Sequence, residues 1–404
     1  MSSSPLRALL AQTSFVRFWV SRVGGIMANQ MLMVALGWHM YDLTASAWDL
    51  GLVGLFQFVP ALLMTLPAGH IADRHHRARI FALCMLAQGA VAALLCWGTF
   101  HGEVSRSLIL GLSVLLGVAR AFQMPAQQAI TPLLVPRELL QRAIAVSSSG
   151  MEIAVIGGPA LGGLLYTTGA ATVYALCTAL LLLSFALALW VRYPFTPTRQ
   201  ASTWSDVFAG LHFVWERKVL LGATSLDLFA VLLGGATALL PIYAKDILHT
   251  GPVGLGLLRA APAVGALAMS IVLTRWPLER QVGRRLLMAV AVFGLATLGF
   301  GLSQSFALSM LMLAITGAAD NISVVTRLTL TQLETPDEMR GRVAAVNSIF
   351  IGASNQLGEF ESGMTAAAFG AVGSVVLGGV GSVAIAALWW KWFPALAQRD
   401  RMEG

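Results

Sequence analysis

The chain has 404 residues, 57% of them hydrophobic and only 11% charged, with a formal net charge of +7. Ordinary soluble domains carry about 25% charged residues, so this much apolar surface cannot be hidden in one aqueous core, and the bilayer is the expected solvent. A basic excess in a soluble protein would point to nucleic acid; here the placement of the charges, taken up below, points to the membrane instead.

Apolar runs of roughly 20 residues recur along the whole length, each long enough to cross a ~30 Å hydrocarbon core as a helix. In chain order the predicted spans are 16–40, 50–68, 79–99, 107–129, 141–165, 170–191, 220–244, 252–274, 286–304, 306–328, 342–367 and 371–393. The runs lack the period-two alternation of a membrane barrel. Arg17 and Arg22 interrupt the first run and no A-x-A site follows, so it is not read as a cleavable signal. Cys84, Cys96 and Cys177 all fall within spans and read as small buried hydrophobes, with no disulfide framework.

With both termini placed in the cytoplasm, only Arg106 and Lys245 fall in outer loops, and Arg120, Arg259 and Arg327 fall within spans; the remaining Lys and Arg gather at the inner face. That bias is the positive-inside pattern, and it sets the expected topology. It also leaves no concentrated basic surface for nucleic acid.

The longest polar segment, RYPFTPTRQASTWSDVFAGLHFVWERKV (192–219), lies near the middle. Its start is linker-like, whereas Trp204, Val207, Phe208, Leu211, Val214 and Trp215 recur at helical spacing and predict an amphipathic helix on the inner leaflet. The expected division is a first six-helix bundle over 1–192, a linker over 193–218 and a second bundle over 219–404. An internal repeat supports it. Residues 117–148 and 317–348 align without a gap, matching Gly117 with Gly317, Pro136 with Pro336, Glu138 with Glu338, Arg142 with Arg342 and Ser148 with Ser348. Parallel halves of this kind are a transporter architecture, with a substrate site near the midplane.

Between the second and third spans stands GHIADRHHRARI (69–80). It resembles the loop signature of the major facilitator superfamily, G-x-x-x-D-R-x-G-R-[KR]: Gly69, Asp73, Arg74 and Arg77 fit, Arg79 supplies the last basic residue one place late, and His76 stands where the second glycine usually does. IGGPALGG (156–163) resembles the G-P-x-x-G-G element of exporters that run as antiporters. TPDEMRGRVAAVNS (335–348), FVRFWVSRVGG (15–25) and YDLTASA (41–47) look like bacterial exporters of siderophores, such as enterobactin, and of macrolides. The resemblance implies an all-α membrane protein of twelve transmembrane helices in two pseudo-symmetric six-helix bundles, working by alternating access in the bacterial inner membrane. In the second half the corresponding loop, TRWPLERQVGRRLL, keeps Glu279, Arg280, Gly283, Arg284 and Arg285 loosely, with the spacing off by one, so a weak second latch is expected.

A charge at the centre of a span costs about 2.5–3.5 kcal/mol on insertion scales, so such residues tend to face a cavity or a partner. Arg120 and Asp320 occupy equivalent repeat positions with opposite charge. In the family that the chain resembles, their spans line the central cavity. Glu152, Asp227 and Asp320 are the candidate proton-coupling carboxylates, with a fixed Arg120–Glu152 salt bridge as the bland reading of one of them. Arg120, Asn29, Gln30, Gln57, Asn355 and Gln356 are candidate substrate contacts. One of Glu359 and Glu361, which being two apart cannot both face the cavity, is expected in an ion pair with Arg259, and Arg327, near the inner end of its span, is expected to snorkel. Gly69, Asp73, Arg74, Arg77 and Arg79, with Arg340 and Arg342 at the start of the eleventh span, form the expected gate. There Asp73 would meet the helix amides, and the arginines would hold helix ends and anionic lipid. Gly158, Pro159, Gly162 and Gly163 would let helices approach and bend.

His75 and His76 have only Asp73 nearby and sit among arginines, so no metal is expected. No G-x-x-x-x-G-K-[ST] loop is present, so no nucleotide cofactor is expected, and the proton gradient is the expected energy source. The expectation is a monomeric secondary transporter, not an enzyme, exporting a siderophore-like or drug-like small molecule by proton antiport. An importer, a lysolipid flippase, and a non-transporting receptor or enzyme are the competing readings. The partners expected are the small-molecule substrate and membrane lipids.

Overall fold

With no water to bond to, a chain in hydrocarbon must pair its backbone groups internally, and this one does so with helices. The computed structural model describes residues 5–128, 130–194, 204–278, 280–336 and 338–401; the side chains of residues 5, 6, 66, 73 and 204–207 lie outside the description. The helices are α1 (Pro5–Leu10), α2 (Thr13–Thr44), α3 (Ala47–Arg74), α4 (Arg77–His101), α5 (Arg106–Gln128), α6 (Arg137–Tyr166), α7 (Ala170–Leu189), α8 (Trp204–Glu216), α9 (Lys218–Gly234), α10 (Leu240–Ile242), α11 (Gly251–Arg275), α12 (Val282–Leu302), α13 (Phe306–Glu334), α14 (Arg340–Trp392) and α15 (Pro394–Ala397). Among the described residues, ten helical stretches are long and apolar enough to cross a membrane. One of them, α14, runs 53 residues but contains Gly370 at φ 78°, a left-handed kink that divides it where the sequence predicts a loop. The more polar α2 has 32 residues and lies outside those ten.

The chain clusters into two units, Met1–Leu43 with Val59–Ser202, and Thr44–Phe58 with Thr203–Gly404. In the first, α4 packs along α7 and α5. Ser21 donates to the Ser184 carbonyl at 2.6 Å, and the Phe18 and Phe81 rings meet edge-on at 5.5 Å. The small residues Gly150, Ala154, Gly158 and Gly162 repeat every fourth position on α6, so they form one stripe. A Cβ on Gly158 would stand 3.0 Å from the Met27 carbonyl, and one on Gly162 3.0 Å from Met31 Cα. That stripe seats α2 against α6, helped by Trp19 Nε1 donating to the Val146 carbonyl at 3.1 Å. The three cysteines are free thiols.

In the second unit the predicted seventh span is not one helix. It is α9, then Gly235 at φ −71° and ψ 66°, a 3₁₀ turn over Ala236–Leu239, α10, and a π-turn over Tyr243–Ile247. A break at this depth frees carbonyls that water cannot satisfy, and serines reach them. Ser362 donates to the Gly235 carbonyl at 2.7 Å, and Ser382 to that of Ala230 at 3.0 Å. Gly358 and Gly378, each four residues before its serine, let the α14 backbone lie against the carbonyls of Val231, Leu232 and Leu233. Residues 44–58 also cluster here: Gly51 lies against Gly363, and the Trp48 and Phe360 rings meet at 5.5 Å. α8 packs through Gly210 on the Arg342 carbonyl and through Val214 on Leu220 and Val343, leaving Phe208 and Trp215 exposed.

The C-terminal segment takes up the start of α12. Amides of Val282 and Gly283 donate to the carbonyls of Asp400 and Arg399 at 3.2 and 3.0 Å, and that of Gln281 donates to Asp400 Oδ1 at 3.1 Å. Arg399 also donates to Glu334 Oε1 at 2.5 Å, and Arg217 stands 3.9 Å from Glu334 Oε2. Where the sequence predicts a weak second loop latch, a tail clasp caps α12 and ties it to the ends of α9 and α13. Glu279 lies outside the described residues.

Candidate functional site

Three polar residues of α13, Asp320, Ser323 and Arg327, stand at i, i+3 and i+7, so the helix presents them on one face. Arg327 Nη2 meets Asp227 Oδ2 of α9 at 3.0 Å, and Ser323 donates to Asp227 Oδ1 at 3.4 Å. Both partners are buried: the Arg327 side chain is 2% exposed and that of Asp227 8%. Arg327 therefore does not snorkel, contrary to the reading from depth alone. Its charge is held inside the unit by an ion pair, the arrangement that makes burial of both groups tolerable. Its Nε and Nη1 are buried with no acceptor.

Asp320, one turn from Ser323, is half-buried and lies within Coulombic reach of both Asp227 and Arg327. The guanidinium's ion-pair partner is Asp227, with Asp320 close enough to feel its charge. A small void bounded by Asp227, Asp320 and Ser323 adjoins the group. On the other side Asp320 faces a larger cavity of about 250 Å³, lined also by Thr237, Thr297, Thr316, Asn355 and Glu359. Gly317 on α13 sits against the Pro262 carbonyl of α11, and Gly265 against that of Ala314, so backbone contact fixes the helix that carries the trio.

The equivalent positions in the first half form no buried ionic group, and the one charged residue among them, Arg120, is exposed. Residues 120, 123 and 127 are Arg, Gln and Gln where 320, 323 and 327 are Asp, Ser and Arg. Gln88 Nε2 donates to Gln123 Oε1 at 2.6 Å, and Gln123 Nε2 to Gln127 Oε1 at 3.5 Å: a buried, neutral ladder in place of an ionic one.

The other predicted residues are less gathered. Arg120 is exposed and Glu152 half-buried, and among the described residues no ion pair joins them. Asn29 and Gln30 are half-buried on α2, with Gln30 against Gly158. Gln57 is buried, Gln356 half-buried, and Asn355 spends its Nδ2 on the Ile351 carbonyl at 2.9 Å. Of the gate residues, Gly69 has nothing within 4 Å of a notional Cβ, and Arg74 ends α3. Arg77 Nε donates to the Ala72 carbonyl at 3.3 Å, and Arg79 is exposed. Arg340 opens α14, and Arg342 Nη1 lies 3.5 Å from Met339 Sδ. The side chain of Asp73 lies outside the described residues. Gly158, Pro159, Gly162 and Gly163 are all buried.

His76, the motif's odd residue, stacks on Tyr193 with centroids 4.4 Å apart. Burial, with Arg79 nearby, holds its imidazole below the usual range, partly offset by a hydrogen bond to the Tyr193 backbone. No signal in the sequence pairs these two residues, which are far apart along the chain.

The family described as transmembrane secretion effectors, a branch of the major facilitator superfamily, matches residues 3–401. The chain belongs to this family. An enterobactin exporter, EntS, from Citrobacter koseri is 28% identical over 94% of this chain and 88% of its own length. The multidrug efflux pump Tap of Mycobacterium tuberculosis is 30% identical over 82% of each. Among solved structures, a bacterial homologue of the lysosomal transporter Spinster superposes with a TM-score of 0.73 at 16% identity, covering 96% of this chain and 97% of that one. The nucleoside transporter NupG gives 0.70 at 13% identity, covering 96% and 99%. At those identities the structures attest the fold alone. Family membership makes the chain a multi-pass membrane transporter with small-molecule exporters as relatives, and sets it apart from enzymes.

Proposed function

We propose that the chain exports a small organic molecule, siderophore-like or drug-like, across the bacterial inner membrane in exchange for protons. Its twelve spans would form two six-helix bundles, with both termini in the cytoplasm and the monomer as the working unit. The observation that carries the coupling is the Asp227–Arg327–Asp320 trio. With both carboxylates ionised, the trio holds a net negative charge in a low-dielectric site; one proton makes it neutral. Arg327 is already bonded to Asp227, so the exchangeable proton resides on Asp320. The neutral trio is the form suited to carriage through a conformational change. A single charge moved through 100 mV is worth about 2.3 kcal/mol, enough for roughly 50-fold accumulation.

In this reading Arg120, Asn29, Gln30 and Glu152 of the first half, with Gln57, Asn355 and Gln356, contact or orient substrate, and the motif around Asp73 gates the inner side. The test is efflux in inverted vesicles under an imposed pH gradient, with a siderophore and a lipophilic drug as probes. Gradient-dependent accumulation that disappears in Asp320→Asn supports the reading. Transport of the probe at the same rate with the gradient collapsed overturns it.

A further inference from the structure

Arg22 stands six residues past the start of the first predicted span, roughly 9 Å in at 1.5 Å per residue. It is half-buried on α2, and its guanidinium turns to α6. A charge at such a depth needs a partner, and this one has almost none. Nη2 meets the Met151 sulfur at 3.8 Å, and Nε is buried with no acceptor. A thioether is a weak acceptor and carries no charge. Among the described residues no carboxylate pairs with Arg22, and Glu152, next to Met151 in the chain, is no exception. Arg327 is the opposite case, since its counter-ion Asp227 is built into the same unit at 3.0 Å.

A counter-ion for Arg22 must therefore come from outside the chain, and a planar guanidinium suits the two oxygens of a carboxylate, catecholate or phosphate. Its surroundings favour a guest over a lipid headgroup. An arginine that snorkels spreads its donors into interfacial water, whereas Nε here is sealed and Nη2 is held against a neighbouring helix. Trp19, one turn earlier, is half-buried with its Nε1 spent on the Val146 carbonyl at 3.1 Å, so only apolar ring is left beside the guanidinium. Asn29, seven residues on, shares the face of Arg22 roughly 10 Å farther along α2. One face thus offers, in order, an aryl surface, a fixed positive charge and an amide.

We propose that Arg22 docks an oxyanion of the exported molecule, a carboxylate or catecholate carried on an aryl group, so that the cargo is anionic. The inference rests on the export reading and names the substrate class within it. Arg22 supplies the charge, and Asn29 meets a polar group farther along the same guest. Lipid phosphate shares the oxyanion chemistry, and the test separates the two sources.

The probes are a BODIPY-labelled benzoate and its methyl ester, which share one skeleton and differ by one charge. Fluorescence polarisation with the full chain in nanodiscs should show the benzoate bound about tenfold more tightly than the ester. Arg22→Gln should bring the two within about twofold by weakening the benzoate alone. Arg22→Lys should fall between, since an ammonium keeps the charge without the fork. With no counter-ion to strand, Arg22→Gln should melt no lower than the parent; a large fall would reveal a structural partner and overturn the site. Adding phosphatidylglycerol to phosphatidylcholine nanodiscs should leave the preference in place. Its disappearance there assigns Arg22 to a headgroup and overturns cargo docking. Gradient-driven uptake of the same probes into proteoliposomes is read separately. A parent that prefers the benzoate but moves neither probe keeps this site and counts against export, whereas uptake without any preference overturns the site and leaves export standing.

Discussion

Arg327 and Asp227 meet at 3.0 Å with both side chains almost wholly buried, and their helices are far apart in sequence. A pair of this kind is costly to leave half-made: removing one partner strands a charge and costs about 3–5 kcal/mol. Arg327→Met should therefore lower the melting temperature in detergent sharply. The double substitution Arg327→Met with Asp227→Leu should recover most of that loss while transport stays absent. Recovery of both stability and gradient-driven transport would reduce the pair to a structural tie.

Asp320→Asn should uncouple. Gradient-driven efflux in inverted vesicles is expected to fall by more than tenfold, about 1.4 kcal/mol or more, while substrate binding measured by quenching stays close to the parent. Glu152→Gln is half-buried and unpaired among the described contacts, so its effect on coupling should be the smaller of the two. The reverse order would move the coupling site to the first unit.

The α6 stripe has no room for a branched side chain. Gly162→Val places methyls against the Met31 backbone, and overpacking of that kind costs about 1–3 kcal/mol. Expression and thermal stability should both drop. The exposed Gly341, with nothing within 4 Å of a notional Cβ, should accept alanine without loss and serves as the control.

The tail clasp predicts that the last residues are structural. Deleting residues 394–404 uncovers the amides of Gln281, Val282 and Gly283, and helix caps contribute about 1 kcal/mol each. Hydrogen exchange at the start of α12 should accelerate in the truncated protein and, more weakly, in Asp400→Asn.

His76 gives a pH dependence whose sign is set. Its pKa is lowered in the fold, so the unfolded or detached loop binds more protons. The stacked contact with Tyr193 is fully present above the ordinary imidazole pKa of about 6.5 and is lost as pH falls through and below it. Histidine NMR shifts should show a midpoint for His76 below that of a free imidazole, about 6.5, and His76→Gly should remove the transition.

Much of the architecture is legible in the sequence because the bilayer imposes a strong pattern: apolar length marks spans, and the 200-residue offset marks the duplication. The loop at 367–371 is readable and is realised as the kink at Gly370. The break in the seventh span is not readable, since no proline marks Gly235, and the serines that satisfy it lie more than 100 residues away. Arg327 is misread for a related reason. Depth along a helix is one-dimensional, whereas the choice between snorkelling and pairing depends on which face meets α9. The spacing of 320, 323 and 327, set against Gln123 and Gln127 in the first copy, is the signal that carries that information.

The glutamine ladder of the first unit has its own consequence. Duplication supplies two versions of one helix, and here only one version holds formal charge in its core. Gln88, Gln123 and Gln127 tie α4 to α5 through neutral amide hydrogen bonds. Substitutions on this face of α5 are then expected to change packing in the first unit without altering the charge balance of Asp227, Asp320 and Arg327.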